Sequence, residues 1–177
     1  APFSHLRLKA QPSMLFETPI VMAHFEDGGA LISELRSAIY KKKDADPDGL
    51  NRSNIGGWHS NTDMLSWAGP AAQELINRVI ALARRMSHFK GDDVNRIDWD
   101  IQMWANVSCH GASNHMHVHP GNIWSAVLYV DMGGRDASGN DTDGLGGEFY
   151  FEDPRFPATA MHNPGFRMIG MDGKPQA

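Results

Sequence analysis

The residues best suited to chemistry lie in the segment NHMHVHPG at 114–121, where His115, His117 and His119 occupy alternate positions. In an extended strand, alternate residues project from the same face and lie about 6.6 Å apart along the strand. Two imidazoles at that separation can converge on one ion, whereas a third on the same strand would be strained. Neutral imidazole binds iron, zinc, copper and nickel. The spacing therefore predicts two ligands of a metal site that residues elsewhere in the fold complete.

A second interpretation of this cluster needs no metal. Histidines at a strand edge also serve as surface residues or as partners in ordinary hydrogen bonds. A thiol nucleophile is disfavoured, because the single cysteine, Cys109, stands next to His110 and adjacent residues of a strand point to opposite faces. The pattern favours a metal site, with surface histidines as the alternative.

The elements that must position these histidines change type along the chain. Apolar residues recur at helical spacing over 27–43 and again from Pro70 to Met86, and the loop 44–69 between them is rich in Asp, Asn, Ser and Gly. The second half predicts strands at 97–107, 114–119, 125–130 and 148–152. Helices followed by antiparallel strands favour an α+β fold in which the N-terminal helices back a β-sandwich or barrel.

Composition bounds the class of protein. The chain has 177 residues, which suits a single domain over 1–177. Lys and Arg total 16 against 21 Asp and Glu, and the net charge of −5 disfavours nucleic acid and anionic membranes as partners. No apolar run approaches the roughly 20 residues that a membrane-spanning helix needs. A lone cysteine favours the cytoplasm.

Two families carry paired metal-binding residues on a strand of a β-barrel. A cupin places Gly six residues before the first histidine and Glu four or five residues after the second. Gly111 stands six residues before His117, but Ile123 and Trp124 occupy the positions expected to hold Glu. A plain cupin is therefore disfavoured.

Three segments instead resemble a bacterial family of 2-oxoglutarate/iron(II)-dependent oxygenases. They are RSNIGGWHS at 52–60, NHMHVHPGNIWSAVLYV at 114–130 and GGEFYFEDPR at 146–155. Members of that family carry an SN-GG-W-S segment, an H-x-HPG-x-x-WSG-x-YY strand pair and a following DPR. The three segments occur here in the same order and at similar spacing. The resemblance implies a double-stranded β-helix, a jelly-roll core of the cupin type.

The resemblance also implies roles for individual residues. His117 matches the first iron ligand, and His119 takes the place at which better-known oxygenases of the superfamily carry Asp. Tyr129 matches an aromatic residue that in relatives faces the carboxylates of 2-oxoglutarate. Leu128 and Ala126 depart from the usual Tyr and Gly of the motif.

Other residues are expected to line the substrate pocket. His115 becomes a neighbour of the metal rather than a ligand, and Trp124 and Ser125 match the WS of the motif. In the segment 54–60, Trp58 and His59 are candidate substrate contacts. The alternative for Trp58 is packing against the sheet.

The C-terminal part departs from the family pattern. The family continues after DPR with a distal histidine that completes the iron triad and an arginine that binds 2-oxoglutarate. His162 and Arg167 are the later His and Arg of the tail, and their context does not resemble that strand. We therefore expect the last strands of the barrel to be missing from this chain.

The predicted function is that of a non-haem iron(II)/2-oxoglutarate-dependent dioxygenase of the hydroxylase type, with Fe(II) as cofactor and 2-oxoglutarate as cosubstrate. The expected substrate is a small molecule or a peptide that the sequence does not identify, and a homodimer is compatible with these features. The alternatives are a cupin-like metal protein that does not use 2-oxoglutarate and a non-catalytic β-sandwich.

Overall fold

A computed structural model describes residues 18–133 and 147–152. The described helices are α1 (Gly29–Ala45), α2 (Met64–Trp67), α3 (Gly69–Arg85) and a 3-10 turn at Val94–Arg96. The described strands are β1 (Asn54–Ile55), β2 (Trp58–His59), β3 (Asn106–Val107) and β4 (Ser113–Asn114). The content is a mixture of helices and small antiparallel sheets, which confirms the α+β class at this coarse level.

Helix α1 forms where the helical spacing of apolar residues predicts it. Leu35 and Ile39, four residues apart, are its buried positions, and Lys42 and Lys43 lie in the last turn, where cations favour the negative end of the helix dipole. The helix ends at Ala45, two residues beyond the predicted end, so the prediction over 27–43 is confirmed.

Helix α3 is confirmed in the same way. Pro70 lies in its first turn, where the missing N–H costs nothing, and Ala72, Ile76 and Ala83 are buried along one face. Helices α1 and α3 pack against each other. Their apolar faces contribute to one buried cluster, comprising Leu35, Ile39, Trp58, Met64, Ala68, Ala71, Ala72 and Ala105.

The segment 44–69, predicted as a loop, contains β1, β2 and α2. Strand β1 pairs with β4 in the register Asn54↔Asn114, and β2 pairs with β3 in the register Trp58↔Val107, both antiparallel. Gly56, at φ +67°, lies between the two short strands. The prediction missed the two strands because these pairs join residues 47 to 60 positions apart, and local composition carries no signal for such pairing.

The strands predicted in the second half are mostly wrong within the described residues. The prediction over 97–107 retains only β3 and an isolated bridge between Met103 and Asp63. The segments 115–130 and 147–152 form no strand. Polar–apolar alternation shows that a segment could be half-buried, but a ladder also needs a neighbouring strand to pair with.

The chain divides into two compact units. One is Phe25–Glu148, and the other joins Ala1–His24 with Phe149–Ala177. All the described helices and strands belong to the first unit. Within the described ranges no helix has the length and apolar character needed to cross a bilayer.

Candidate functional site

The predicted metal ligands lie side by side. The ring centroids of His117 and His119 are 4.9 Å apart and the rings meet edge to face at 81°. His117 Nδ1 donates a hydrogen bond of 2.7 Å to the backbone carbonyl oxygen of His115. In neutral imidazole the proton on Nδ1 leaves the Nε2 lone pair for a ligand, which is the arrangement usual for metal-bound histidine.

His115 itself is tied to the chain through its backbone. Its N–H donates to the carbonyl oxygen of Ser53 at 2.8 Å, directly after the β1–β4 pair. Ser53 Oγ also donates to Asn114 Oδ1 at 3.3 Å. The structure therefore brings the motif segments at 52–60 and 114–121 together, although they are far apart in sequence.

A row of rings continues from the histidine pair into the interior. Trp104 lies 5.6 Å from His119 between ring centroids, with the planes tilted by 42°. On the other side, Trp104 stacks on His59 at 5.8 Å with an interplanar angle of 11°. His59 is 5% exposed, His119 is half-buried and His117 is exposed. The row therefore connects a buried histidine to the predicted metal ligands.

The backbone on both sides of Trp104 is firmly held. Met103 accepts a hydrogen bond from Met64 N at 3.0 Å, and its own N–H donates to Thr62 O at 3.2 Å. Ala105 accepts from Ser60 N at 2.9 Å and donates to Ser60 Oγ at 3.0 Å. Trp104 is thus placed by bonds at both neighbouring residues.

His59 has a fixed orientation as well. Its Nδ1 donates to the backbone carbonyl oxygen of Ser60. Its own carbonyl oxygen accepts from Leu50 N at 2.8 Å. Burying an imidazole costs little free energy when its N–H has a hydrogen-bond partner. The ring of His59 is thereby held in one orientation against Trp104.

Trp58, a candidate substrate contact, lies in the hydrophobic cluster at 6% exposure. Its indole N–H donates to the carbonyl oxygen of Asp46 at 2.7 Å. Gly49 lies close against it, since a Cβ there would come within 2.7 Å of Trp58 Cδ1. This placement agrees with the packing alternative stated for Trp58.

Trp124 lies against the end of α3 rather than in the row of rings. It is half-buried, and its indole N–H donates to Ser87 Oγ at 2.8 Å. Ser87 Oγ donates in turn to Ala83 O at 2.7 Å. Ser125 is exposed. The hydrogen bond through Ser87 fixes the motif segment after Gly121 to the helical layer.

Tyr129, the predicted contact to 2-oxoglutarate, is 44% exposed and its hydroxyl donates to Gly147 O at 3.1 Å. Two apolar neighbours, Leu128 and Val130, pack against the core cluster. The residues on either side of Tyr129 are therefore partly buried, whereas the Tyr129 ring lies toward solvent.

The donors present suit a metal in part. Within 18–133 and 147–152, no group of three or more His, Cys, Asp or Glu side chains is placed to hold an ion. His117 and His119 supply two imidazoles. His162 and Arg167 lie outside the described residues.

The place of Trp104 beside the predicted metal ligands was not predicted from the sequence. The residue lies in IDWDIQMWANV at 97–107, where alternation predicted only a half-buried strand. Its contact with His119 depends on the pairing of β2 with β3, which no local pattern reveals.

Comparison with protein families places this site in a chemical class. Residues 102–172 match the model of the family described as "Putative 2OG-Fe(II) oxygenase". The match covers less than half of the chain but includes the histidine pair, Trp104 and Tyr129. Comparison with curated proteins and with solved structures gives no match.

The matched family confirms the predicted function and enzyme class. Residues 102–172 are similar to an oxygenase family whose description implies Fe(II) as metal and 2-oxoglutarate as cosubstrate. The substrate is unknown. The individual ligand and pocket assignments stay predictions.

Proposed function

We propose that the chain is a hydroxylase-type iron(II)/2-oxoglutarate-dependent dioxygenase in which His117 and His119 are two of the iron ligands. The observation that carries this is the ring pair at 4.9 Å, together with the hydrogen bond that fixes the Nδ1 proton of His117 on the His115 carbonyl. A ligand histidine needs a free nitrogen and a fixed ring, and this hydrogen bond provides both for His117.

The finer architecture we propose is a double-stranded β-helix. Support comes from the family match over 102–172 and from the alternation at 115–119. The histidines there alternate with Met116 and Val118, which are 61% and 80% exposed. In a strand the histidines would share one face and the two apolar residues the other, and that apolar face could then be buried against a second sheet.

The chemistry defines what the side chains must do. When bound, iron(II) and 2-oxoglutarate let O2 hydroxylate a C–H bond while the cosubstrate is converted to succinate and CO2. The chain must orient the two imidazoles, bind a dicarboxylate and exclude water. We assign Tyr129 to the carboxylate, its hydroxyl being a donor that can leave the backbone oxygen of Gly147 for a charged acceptor.

The remaining pocket residues are also proposals. In this proposal His115, Ser125 and His59 line the approach to the metal. Trp124 is held at the end of α3 by Ser87, and Trp58 packs in the core cluster. The bacterial origin rests on the resemblance of the motifs, and the cytoplasmic location on the single cysteine. We also propose a small molecule or a peptide as the substrate and a homodimer as the assembly.

The test is anaerobic visible spectroscopy. Iron(II) is added to the chain, then 2-oxoglutarate, and a weak charge-transfer band is expected only when both are present. His117→Ala and His119→Ala should each abolish the band. His110→Ala is the control, since His110 is an exposed histidine close in sequence and outside the pair, and it should keep the band.

Each other outcome contradicts part of the proposal. Stoichiometric metal without the band would support a cupin-like metal protein that does not use 2-oxoglutarate. Loss of the band in His110→Ala alone would move the metal site away from the pair. Absence of bound metal in the wild-type chain would leave a histidine-rich β-protein without this activity.

A further inference from the structure

We propose that Trp104 is a positioning residue for His119: its indole forms the wall against which the ligand ring rests, and the buried His59 holds that wall in place. The consequence for metal binding rests on the proposed function, but the geometry does not. No motif of the sequence analysis includes Trp104.

The first step is the contact itself. Aromatic rings with centroids between about 4.5 and 7 Å attract each other in tilted and stacked arrangements. The Trp104–His119 separation of 5.6 Å and the Trp104–His59 separation of 5.8 Å both fall in that interval. The indole is therefore in contact with one histidine on each side.

The second step is the rigidity of the indole. The residues before and after Trp104 are bonded to the segment at 60–64 through backbone bonds of 2.9 to 3.2 Å and one bond to Ser60 Oγ. Ser60 is fully buried and Ala105 is 5% exposed. The backbone that carries Trp104 is therefore bonded to buried residues on both sides.

The third step is the contrast with the ligand segment. The residues flanking His119 are exposed and form no strand with a neighbour in the described part of the chain. A ring on such a segment rotates about two side-chain bonds unless something outside the segment limits it. For His119 the structure provides Trp104 on one side and the His117 ring on the other.

The rings of the two ligand histidines are thus oriented by different interactions. His117 is fixed by a hydrogen bond to the backbone of its own segment, whereas His119 is fixed by ring contact with a separate segment. Outer contacts that orient a metal ligand typically change metal affinity by about 10- to 100-fold when removed. A ring contact is softer than a hydrogen bond, so we expect the lower end of that range.

The experiment compares three variants of the chain. Trp104→Leu removes the indole wall, and Trp104→Phe keeps an aromatic ring at the same place. Trp67→Leu is the matched control, because Trp67 is half-buried like Trp104, but it packs against the core cluster and its indole donates to Asp63 Oδ1 instead of contacting a histidine.

The first measurement is the ¹H–¹³C spectrum of the metal-free histidine rings. The His119 resonance is identified by its absence in His119→Gln. In the wild type the Trp104 ring current should displace it from the position of the exposed His115. Trp104→Leu should move it toward that position, while Trp104→Phe and Trp67→Leu should leave it displaced.

The second measurement is the affinity for cobalt(II), titrated in the absence of oxygen and cosubstrate. Trp104→Leu should weaken binding by about 10-fold, whereas Trp104→Phe and Trp67→Leu should bind within about 2-fold of the wild type. An unchanged His119 resonance in Trp104→Leu would overturn the positioning role. A shifted resonance with unchanged cobalt affinity would overturn its consequence for the metal.

The design separates the two proposals. A wild-type chain that binds no cobalt would contradict the metal role of the histidine pair, and the ring resonance would still decide whether Trp104 positions His119. Rescue of both readouts by Trp104→Phe separates an aromatic wall from simple filling of space, which leucine also provides.

Discussion

The wall of the site, formed by two segments, and its ligand segment differ in how deeply they are buried. The wall segments, 58–60 and 103–107, contain Trp58, His59, Ser60 and Ala105, all of which are 6% exposed or less. In the ligand segment, 115–119, Met116 and Val118 are 61% and 80% exposed and His119 is half-buried. The wall segments thus contain buried residues, whereas the ligand segment lies at the surface.

This difference separates the roles of the residues. A wall residue contributes to the free energy of unfolding through burial and hydrogen bonds, so its substitution acts on the whole unit. A ligand residue on an exposed segment contributes little to folding and much to binding. We therefore expect stability and metal affinity to respond to different substitutions, and the predictions below test that separation.

The largest expected effect on stability is at Trp58. Trp58→Ala removes a buried ring and its hydrogen bond to Asp46, and it should lower the free energy of unfolding by about 3–5 kcal/mol, as large-to-small substitutions in cores do. Urea titration measures the loss. Trp58→Phe retains most of the packing and should lose less than half as much.

Two outcomes at Trp58 would contradict the assignment of the wall to the stable core or the role of packing in it. If Trp58→Ala unfolds at the same urea concentration as the wild type, the wall is not part of the stable core. If Trp58→Phe is as unstable as Trp58→Ala, the hydrogen bond to Asp46 rather than the packing carries the stability.

A smaller loss of unfolding free energy is expected for substitution of Gly49, whose backbone lies against the Trp58 ring. Its φ of +57° disfavours any side chain, and an added Cβ would lie 2.6 Å from His59 O and 2.7 Å from Trp58 Nε1. Gly49→Ala should therefore lower the free energy of unfolding by about 2–3 kcal/mol, from backbone strain and displacement of the ring.

Gly69→Ala separates these two causes. Gly69 has φ +72° with nothing within 4 Å of an added Cβ, so alanine there meets backbone strain without overlap, at a cost of about 1–2 kcal/mol. Thermal melts of the two variants give the contribution of the contact with Trp58 as their difference. Equal losses would show that the overlap relaxes at no cost.

The helical layer was predictable from sequence because helix signals are local. Leu35 and Ile39 are four residues apart and lie on one face whatever the rest of the chain does. Pro70 and the apolar stripe after it likewise located α3 to within a residue or two. Both helices could therefore be found before any contact between them was known.

The site was predictable only in its residue types. The spacing of His117 and His119 indicated a pair, and the structure places their rings together. Trp104 could not be found, because its neighbours are set by the pairing of Trp58 with Val107 across the sheet. Strand pairing depends on distant residues, which is also why β1 and β2 were missed in the segment 44–69.

The smallest expected effect on stability is at His117. Its ring is exposed and contacts the backbone of its own segment and the His119 ring, so His117→Ala should change the free energy of unfolding of the metal-free chain by less than about 0.5 kcal/mol. The same variant should lose the stabilisation that cobalt(II) gives the wild type, about 2.7 kcal/mol at a metal concentration 100 times the Kd. Urea titrations with and without cobalt measure both quantities. A large loss without metal would place His117 in the folding core and remove the distinction between wall and ligand, whereas an equal gain from cobalt in wild type and variant would show that the metal binds elsewhere.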